Sequence, residues 1–305
     1  MATAPTTVEV GDLATLLPDW LRSLRAENKA PNTLQGYEQS ATQLLEFLRE
    51  SGMPTNVAHI TREHVETFVE QLLATRKPAT AANRYRALQR LFAYLVEEGE
   101  IVTSPMAKMH PPKVPVPETP VLSDDELRAL FGACEGTRLE DRRDMAMFRL
   151  LADTGCRSNE LTSLKVEDLD RDAQVIYVVG KGSKPRAVPY GARTAQSIDR
   201  YMRLRGRHRL AASPFVWIGL RGKVTNEGLR IFLANRSKKA GIGRVHPHML
   251  RHCFAHRWLS RGGNEGDLMR LAGWKSREML NRYGASAADE RARDAYRRMG
   301  LGDEL

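Results

Sequence analysis

Five prolines at positions 111, 112, 115, 117 and 120, within the run MHPPKVPVPETP, constrain this chain more than any other feature. Proline lacks an amide N–H and holds φ near about −65°, so such a stretch is neither helix nor central strand. It is expected to run extended and semi-rigid between two separately folded parts. At ~3.1 Å per residue, about fifteen such residues reach roughly 45 Å. The division expected is a first domain over 1–106, a linker over 107–120 and a second domain over 121–305. An ordinary linker and a long span between two binding surfaces fit this run equally well.

Apolar spacing of three and four residues predicts four helices ahead of the linker. The first is expected from Val8 to Ala26, with Leu13, Leu17, Trp20, Leu21 and Leu24 on one side. The second opens at Asn32 and Thr33 and stops at Ser51 and Gly52. Thr61 with His64 marks the N-cap of the third, which carries Val65, Phe68, Val69, Leu72 and Leu73 inward. The fourth covers about Ala79 to Glu98, with Tyr85, Leu88, Leu91, Phe92 and Leu95 facing the core. Taken alone, this bundle says nothing about function.

Beyond the linker, Ser123 and Glu126 read as a capping box, and an apolar helix from Arg142 to Ala152 halts at Gly155. Gln174–Val179 and Arg186–Pro189 read as a β-hairpin around the turn GKGSK. Further helices are expected over Arg193–Leu210, Asn226–Ala240, Pro247–Ser260, Asp267–Leu271, Arg277–Arg282 and Ala288–Met299. The fold class is therefore mainly α with a small β-sheet.

Charge separates the two parts. Residues 1–106 hold 10 Lys/Arg against 13 Asp/Glu, whereas 107–305 hold 37 against 24. Such a basic second part wants a polyanion, and the excess of arginine over lysine points to nucleic acid. A membrane surface is the rival, but no basic amphipathic helix with an aromatic face is evident. No signal peptide and no bilayer-length apolar run is recognisable, so the terminal GDEL does not read as an ER-retention tail. Three cysteines without CxxC spacing suit a reducing bacterial cytoplasm.

Six polar residues of the second part stand out in order: Arg157, Lys181, His248, Arg251, Trp274 and Tyr283. Arg157 lies between two apolar runs, which predicts burial and a need for an anionic partner, either Glu160 or a phosphate. Lys181 sits at a glycine-flanked hairpin turn, with Lys184 and Arg186 close by; a solvated turn lysine is the plain reading, a mobile proton donor the functional one. His248 and Arg251 share a face near a helix N-terminus, where free N–H groups favour an anion. His252 and His256 are spaced for zinc, but no carboxylate or cysteine cluster accompanies them, so no metal is expected. Tyr283 by itself would be an ordinary helix-end tyrosine.

As a set, at intervals of 24 (157 to 181), three (248 to 251), 26 (248 to 274) and nine (274 to 283), and in the words TG-R--EL, GKG-K-R, H-LRH-FA and L-RY, these residues resemble the tyrosine recombinase (phage integrase) family, in particular its compact Xer-like members. The resemblance covers the whole chain. It implies a helical core-binding domain followed by a mixed α/β catalytic domain acting on double-stranded DNA sites as a tetramer. It also implies a chemistry without metal or cofactor. Arg157 and Arg251 would hold the scissile phosphate, His248 would take a proton, Lys181 would give one, and Tyr283 would form a 3′-phosphotyrosine.

The family more often has histidine where this chain has Trp274, and an indole N–H positions but shuttles no proton. The tail favours an integrase of a temperate phage or integrative plasmid; a chromosome- or plasmid-dimer resolvase of Xer type is the alternative. Further rivals are a type IB topoisomerase and a catalytically silent DNA-binding protein. The helix around 288–299 is a candidate for subunit contacts, and a directionality factor is a possible further partner.

Overall fold

In the computed structural model, residues 11–115, 120–180, 185–274, 276, 280, 292–293 and 296–300 are described, and the chain divides into two compact units, 1–117 and 118–305. The first unit contains α1 (Leu13–Ala26), α2 (Pro31–Glu50), α3 (Arg62–Thr75) and α4 (Pro78–Glu97). Helix α1 begins at Leu13, the expected start at Val8 lying outside the described residues: Gly11 takes φ +85°, and the Asp12 carboxylate accepts the Ala14 N–H at 2.8 Å as N-cap. Pro31 and Pro78 open α2 and α4, where a missing N–H costs nothing. In α3 the Thr61 N–H donates to His64 Nδ1 at 3.1 Å. Tyr85, Leu88, Leu91, Phe92 and Leu95 of α4 are fully buried, whereas Leu73, expected inside, is 41% exposed at the end of α3. Met106 is buried and Met109 packs on the same core, so this unit extends past residue 106.

The second unit begins with α5 (Asp124–Gly132), α6 (Leu139–Thr154) and the short α7 (Ser158–Thr162). A three-stranded antiparallel sheet follows, β1 (Leu169–Asp170), β2 (Val175–Val179) and β3 (Pro185–Pro189), in that order. The expected hairpin is thus two strands of three. Strand β1 escaped because two residues carry no readable alternation; the Asp170 carboxylate, accepting from the Asp172 and Ala173 N–H groups, and Gln174 at φ +55° turn it into β2. Helices α8 (Ala192–Arg205), α9 (Asn226–Lys239), α10 (Pro247–Ser260) and α11 (Glu265–Ala272) follow.

Two boundaries differ instructively from expectation. Helix α6 begins at Leu139, three residues before Arg142, because the Asp141 carboxylate accepts the Arg138 N–H at 3.3 Å. Helix α8 stops at Arg205 and does not reach Leu210. The Arg205 guanidinium, 5% exposed, donates to the carbonyls of Val216, Ser213, Phe215 and Ala211 at 2.6–3.3 Å, so an arginine that looked solvent-facing organises the next loop from inside. The helices expected at 277–282 and 288–299 lie mostly outside the described residues; 280, 292–293 and 296–299 are helical. Among the described residues no helix is long and apolar enough to cross a membrane.

Candidate active site

Helix α6 ends at Gly155, whose φ of +58° is left-handed and whose N–H closes on the Leu151 carbonyl at 2.9 Å. A Cβ there would lie 2.3 Å from the Phe254 ring, so only glycine lets α10 come this near. The close approach lets Arg251, on α10 and 2% exposed, donate to the Gly155 carbonyl and, at 2.7 Å, to the Ala272 carbonyl at the end of α11. Arg157 is the N-cap of α7, two residues past that glycine.

Glu160 ties this corner together. Its Oε2 accepts the Arg157 backbone N–H at 2.8 Å, and its Oε1 accepts the Arg157 guanidinium at 3.0 Å. Arg186 of β3 adds a two-armed pair to the same carboxylate at 2.8 and 2.7 Å. Burial pushes the Glu160 carboxyl up, but hydrogen bonds from Arg186 and from Arg157, with the Arg186 charge, outweigh it and hold the pKa at about 2. Arg157 Nη2 donates to the Gly273 carbonyl at 2.8 Å, yet its side chain stays 35% exposed, the most open of the three arginines in the corner.

His248 sits in the first turn of α10 and is exposed. Desolvation by neighbouring groups, then the positive field of Arg251, His246, Arg230 and Arg157, lowers its pKa below the ordinary 6.5, so the ring is neutral at pH 7 and can accept a proton. Trp274 is 6% exposed, and its ring lies 5.3 Å from the Arg251 guanidinium carbon. The structure therefore brings together Arg157, His248, Arg251 and Trp274. Lys181 and Tyr283 lie outside the described residues.

The corner offers an exposed cation, a buried cation and a neutral imidazole, a set that can hold a tetrahedral oxyanion and move a proton beside it. Among the described residues no group of three or more His, Cys, Asp or Glu is placed to hold a metal ion. Two contributors were underread from sequence. Arg186 was noticed only as a neighbour of Lys181, though alternation along β3 places it on the same face as buried Val188. Gly273 stood beside Trp274 in the run AGWKS but was given no role. Its φ is +65°, and a Cβ would meet the Arg186 guanidinium at 3.0 Å and Arg157 at 3.3 Å.

Comparison with known proteins places the chain in a family. The model of the phage integrase family matches residues 120–290, and that of the phage integrase N-terminal SAM-like domain matches 17–99. Tyrosine recombinase XerC of Oceanobacillus iheyensis is 30% identical over 281 residues, spanning 88% of this chain and 90% of the relative. Two solved structures share the fold. XerH recombinase bound to difH substrate has a TM-score of 0.71 at 20% identity, covering 93% of this chain and 97% of the other. A lambda integrase tetramer bound to a Holliday junction has a TM-score of 0.71 at 18% identity, covering 89% and 79%. With one model matching most of the second unit, another matching the first, and a relative aligned along nearly the whole length, the chain belongs to the phage integrase family of tyrosine recombinases.

Proposed function

We propose that this site-specific recombinase cleaves and rejoins duplex DNA through a 3′-phosphotyrosine formed on Tyr283, with the first unit as core-binding domain and the second as catalytic domain. The observation that carries the reading is the convergence on one corner of Arg157, at the start of α7, with His248 and Arg251 of α10. Arg157 and Arg251 hold the non-bridging oxygens of the scissile phosphate and stabilise the charge that builds in the transition state. The Tyr283 oxygen attacks phosphorus as its proton passes to neutral His248. The bond to the 5′ oxygen breaks, and Lys181 gives that oxygen its proton. Trp274 packs beside Arg251 and positions it. Attack by a 5′-hydroxyl of another strand regenerates the tyrosine, so the phosphotyrosine conserves the bond energy and no nucleotide is consumed.

The DNA-bound XerH and the lambda integrase tetramer on a Holliday junction support DNA as substrate and a working unit of four protomers on paired sites. Such work belongs in the bacterial cytoplasm, on the nucleoid. Within the family we favour an integrase of a mobile element, with a directionality factor as further partner. The alignment with XerC over 88% of the chain favours a second reading, a dimer resolvase.

One experiment tests both levels. DNA flanking the gene of this protein, where a mobile element's attachment site lies, is incubated with purified protein and denatured in SDS, with Tyr283→Phe in parallel. An adduct in wild type alone is expected. An adduct that persists in Tyr283→Phe removes that tyrosine as nucleophile. Salt-sensitive binding with no adduct on any fragment, nicked trapping substrates included, leaves a silent DNA-binding protein. Adducts only with chromosomal DNA remote from the gene favour the resolvase.

A further inference from the structure

Three guanidiniums gather at the carboxyl end of α11, one more than the phosphate-binding reading uses. Arg186 Nε donates to the Leu271 carbonyl at 2.8 Å, Arg251 Nη2 to the Ala272 carbonyl at 2.7 Å, and Arg157 Nη2 to the Gly273 carbonyl at 2.8 Å. These are consecutive carbonyls at a helix terminus, where oxygens lack intrahelical donors and carry the negative end of the helix dipole. They hold the three cations in a row in spite of their mutual repulsion.

Arg157 and Arg186 use the shared carboxylate differently. Arg186 grips both oxygens of Glu160, at 2.8 and 2.7 Å, with a side chain only 14% exposed. Arg157 makes one guanidinium bond to Glu160, at 3.0 Å, and keeps 35% of its side chain open. A two-armed pair is the stronger contact, so Glu160 is satisfied chiefly by Arg186. Among the described residues Glu160 is the one carboxylate bonded to these guanidiniums, and with both its oxygens held by Arg186 the charge of Arg157 stays available to a ligand. Without Arg186, Arg157 is the guanidinium left to pair with Glu160. The hairpin register, Val178 opposite Arg186, places this guanidinium on the inward face of the sheet, the face of buried Val178 and Val188.

We propose that Arg186 is a positioning residue that occupies Glu160, so that Arg157 keeps its charge and its open face for the scissile phosphate. Arg186 itself touches no DNA. The inference rests on the reading of Arg157 as a phosphate-binding residue, and its test separates the two.

The measurement is the single-turnover rate of covalent complex formation on the duplex in which the adduct experiment maps cleavage. It is made with the ordinary scissile phosphate and with a methylphosphonate there, which lacks one negative non-bridging oxygen and needs less cationic compensation. Arg157→Ala should be slow on the phosphate and largely restored on the methylphosphonate; if it is not restored, the role of Arg157 fails and the proposal with it. Arg186→Met should lose about tenfold or more in rate on the phosphate, as removal of one oxyanion donor does, with little change in DNA affinity. On the methylphosphonate it should recover most of that loss. Equal slowing on both substrates, with Arg157→Ala restored, would make Arg186 a structural brace and overturn the proposal alone. The double variant Arg186→Met/Glu160→Gln removes both buried charges. It should be faster on the phosphate than Arg186→Met by about threefold or more, since no carboxylate is left to claim Arg157. A double variant no faster than the single also overturns it. Should Arg186→Met fail to fold, Arg186→Lys, which keeps the charge and loses the two-armed grip, is compared on the same two substrates against the same criterion.

Discussion

The interiors of the two units follow different rules. Among the described residues of the first unit, Ser40 is the one buried polar side chain, and its hydroxyl is satisfied within α2 by donating to the Gly36 carbonyl at 2.6 Å. The second unit buries Arg143, Asp144, Glu160, Arg205 and Arg251, none more than 7% exposed. Each has a partner of its own: Arg143 and Arg236 converge on Asp144 at 2.8 and 2.9 Å, Arg186 and Arg157 on Glu160, while Arg205 and Arg251 are held by carbonyls. Taking such groups out of water costs several kcal/mol apiece unless they are paired, so an interior of this kind is no easy route to stability. The contrast fits a division of labour. The first unit is a scaffold that apolar burial alone supports. In the second, carboxylates and carbonyls hold cations in a low dielectric, which is what the proposed binding of a phosphate needs.

The sharpest way to break this comparison is to remove a buried charge that is far from the candidate site. Among the described residues Asp144→Ala removes the carboxylate paired with Arg143 and leaves Arg236 with Asp141 and the Ala133 carbonyl. It should lower the unfolding free energy by about 3–5 kcal/mol in urea titrations. A loss below about 1 kcal/mol would mean that the network is solvated and the contrast overstated.

Acid probes the same principle at the site. Glu160 titrates at about 2 in the folded chain against an ordinary 4.5. Its contribution is therefore complete above pH 4.5 and drains away as pH falls toward 2, by about 3 kcal/mol in all. Unfolding measured from pH 7 downward should show this slope, and Glu160→Gln should flatten it. In the first unit the matching probe is apolar: Leu88→Ala, at a fully buried position, should cost about 3 kcal/mol with no added pH dependence between 5 and 8. The smallest effect belongs at the surface of the second unit. Ser123→Ala removes the acceptor of the Glu126 N–H at 3.2 Å and should cost about 1 kcal/mol by thermal melting, without slowing DNA cleavage.

Legibility followed the same divide. Helix α4 was expected at 79–98 and is found at Pro78–Glu97, and the Ser123–Glu126 capping box is present. In both cases the signals lie within four residues of one another: an apolar stripe, a proline at the first turn, a carboxylate reaching back three positions. Strand β1 was too short to show alternation, and Arg205 looked like one more solvated arginine of a basic helix until four carbonyls closed around it. Arg157, His248, Arg251 and Trp274 could be singled out by order and spacing, which say nothing of distance in space.

By itself the sequence determined two folded parts about a proline run, a helical first part, a basic second part, and the residue types able to manage a phosphodiester. Proline chemistry, helical periodicity and charge all act through near neighbours or through composition. Only the tertiary structure decided that Arg186 joins Arg157 and Arg251 at one corner and which partners each of them meets there. The donors to Leu271, Ala272 and Gly273 come from 85, 21 and 116 residues away. A guanidinium carries the same charge wherever it sits in the chain. Whether it is gripped at both arms by a carboxylate, like Arg186, or makes one such bond and stays partly exposed, like Arg157, depends on burial and on which partners packing brings within hydrogen-bond reach.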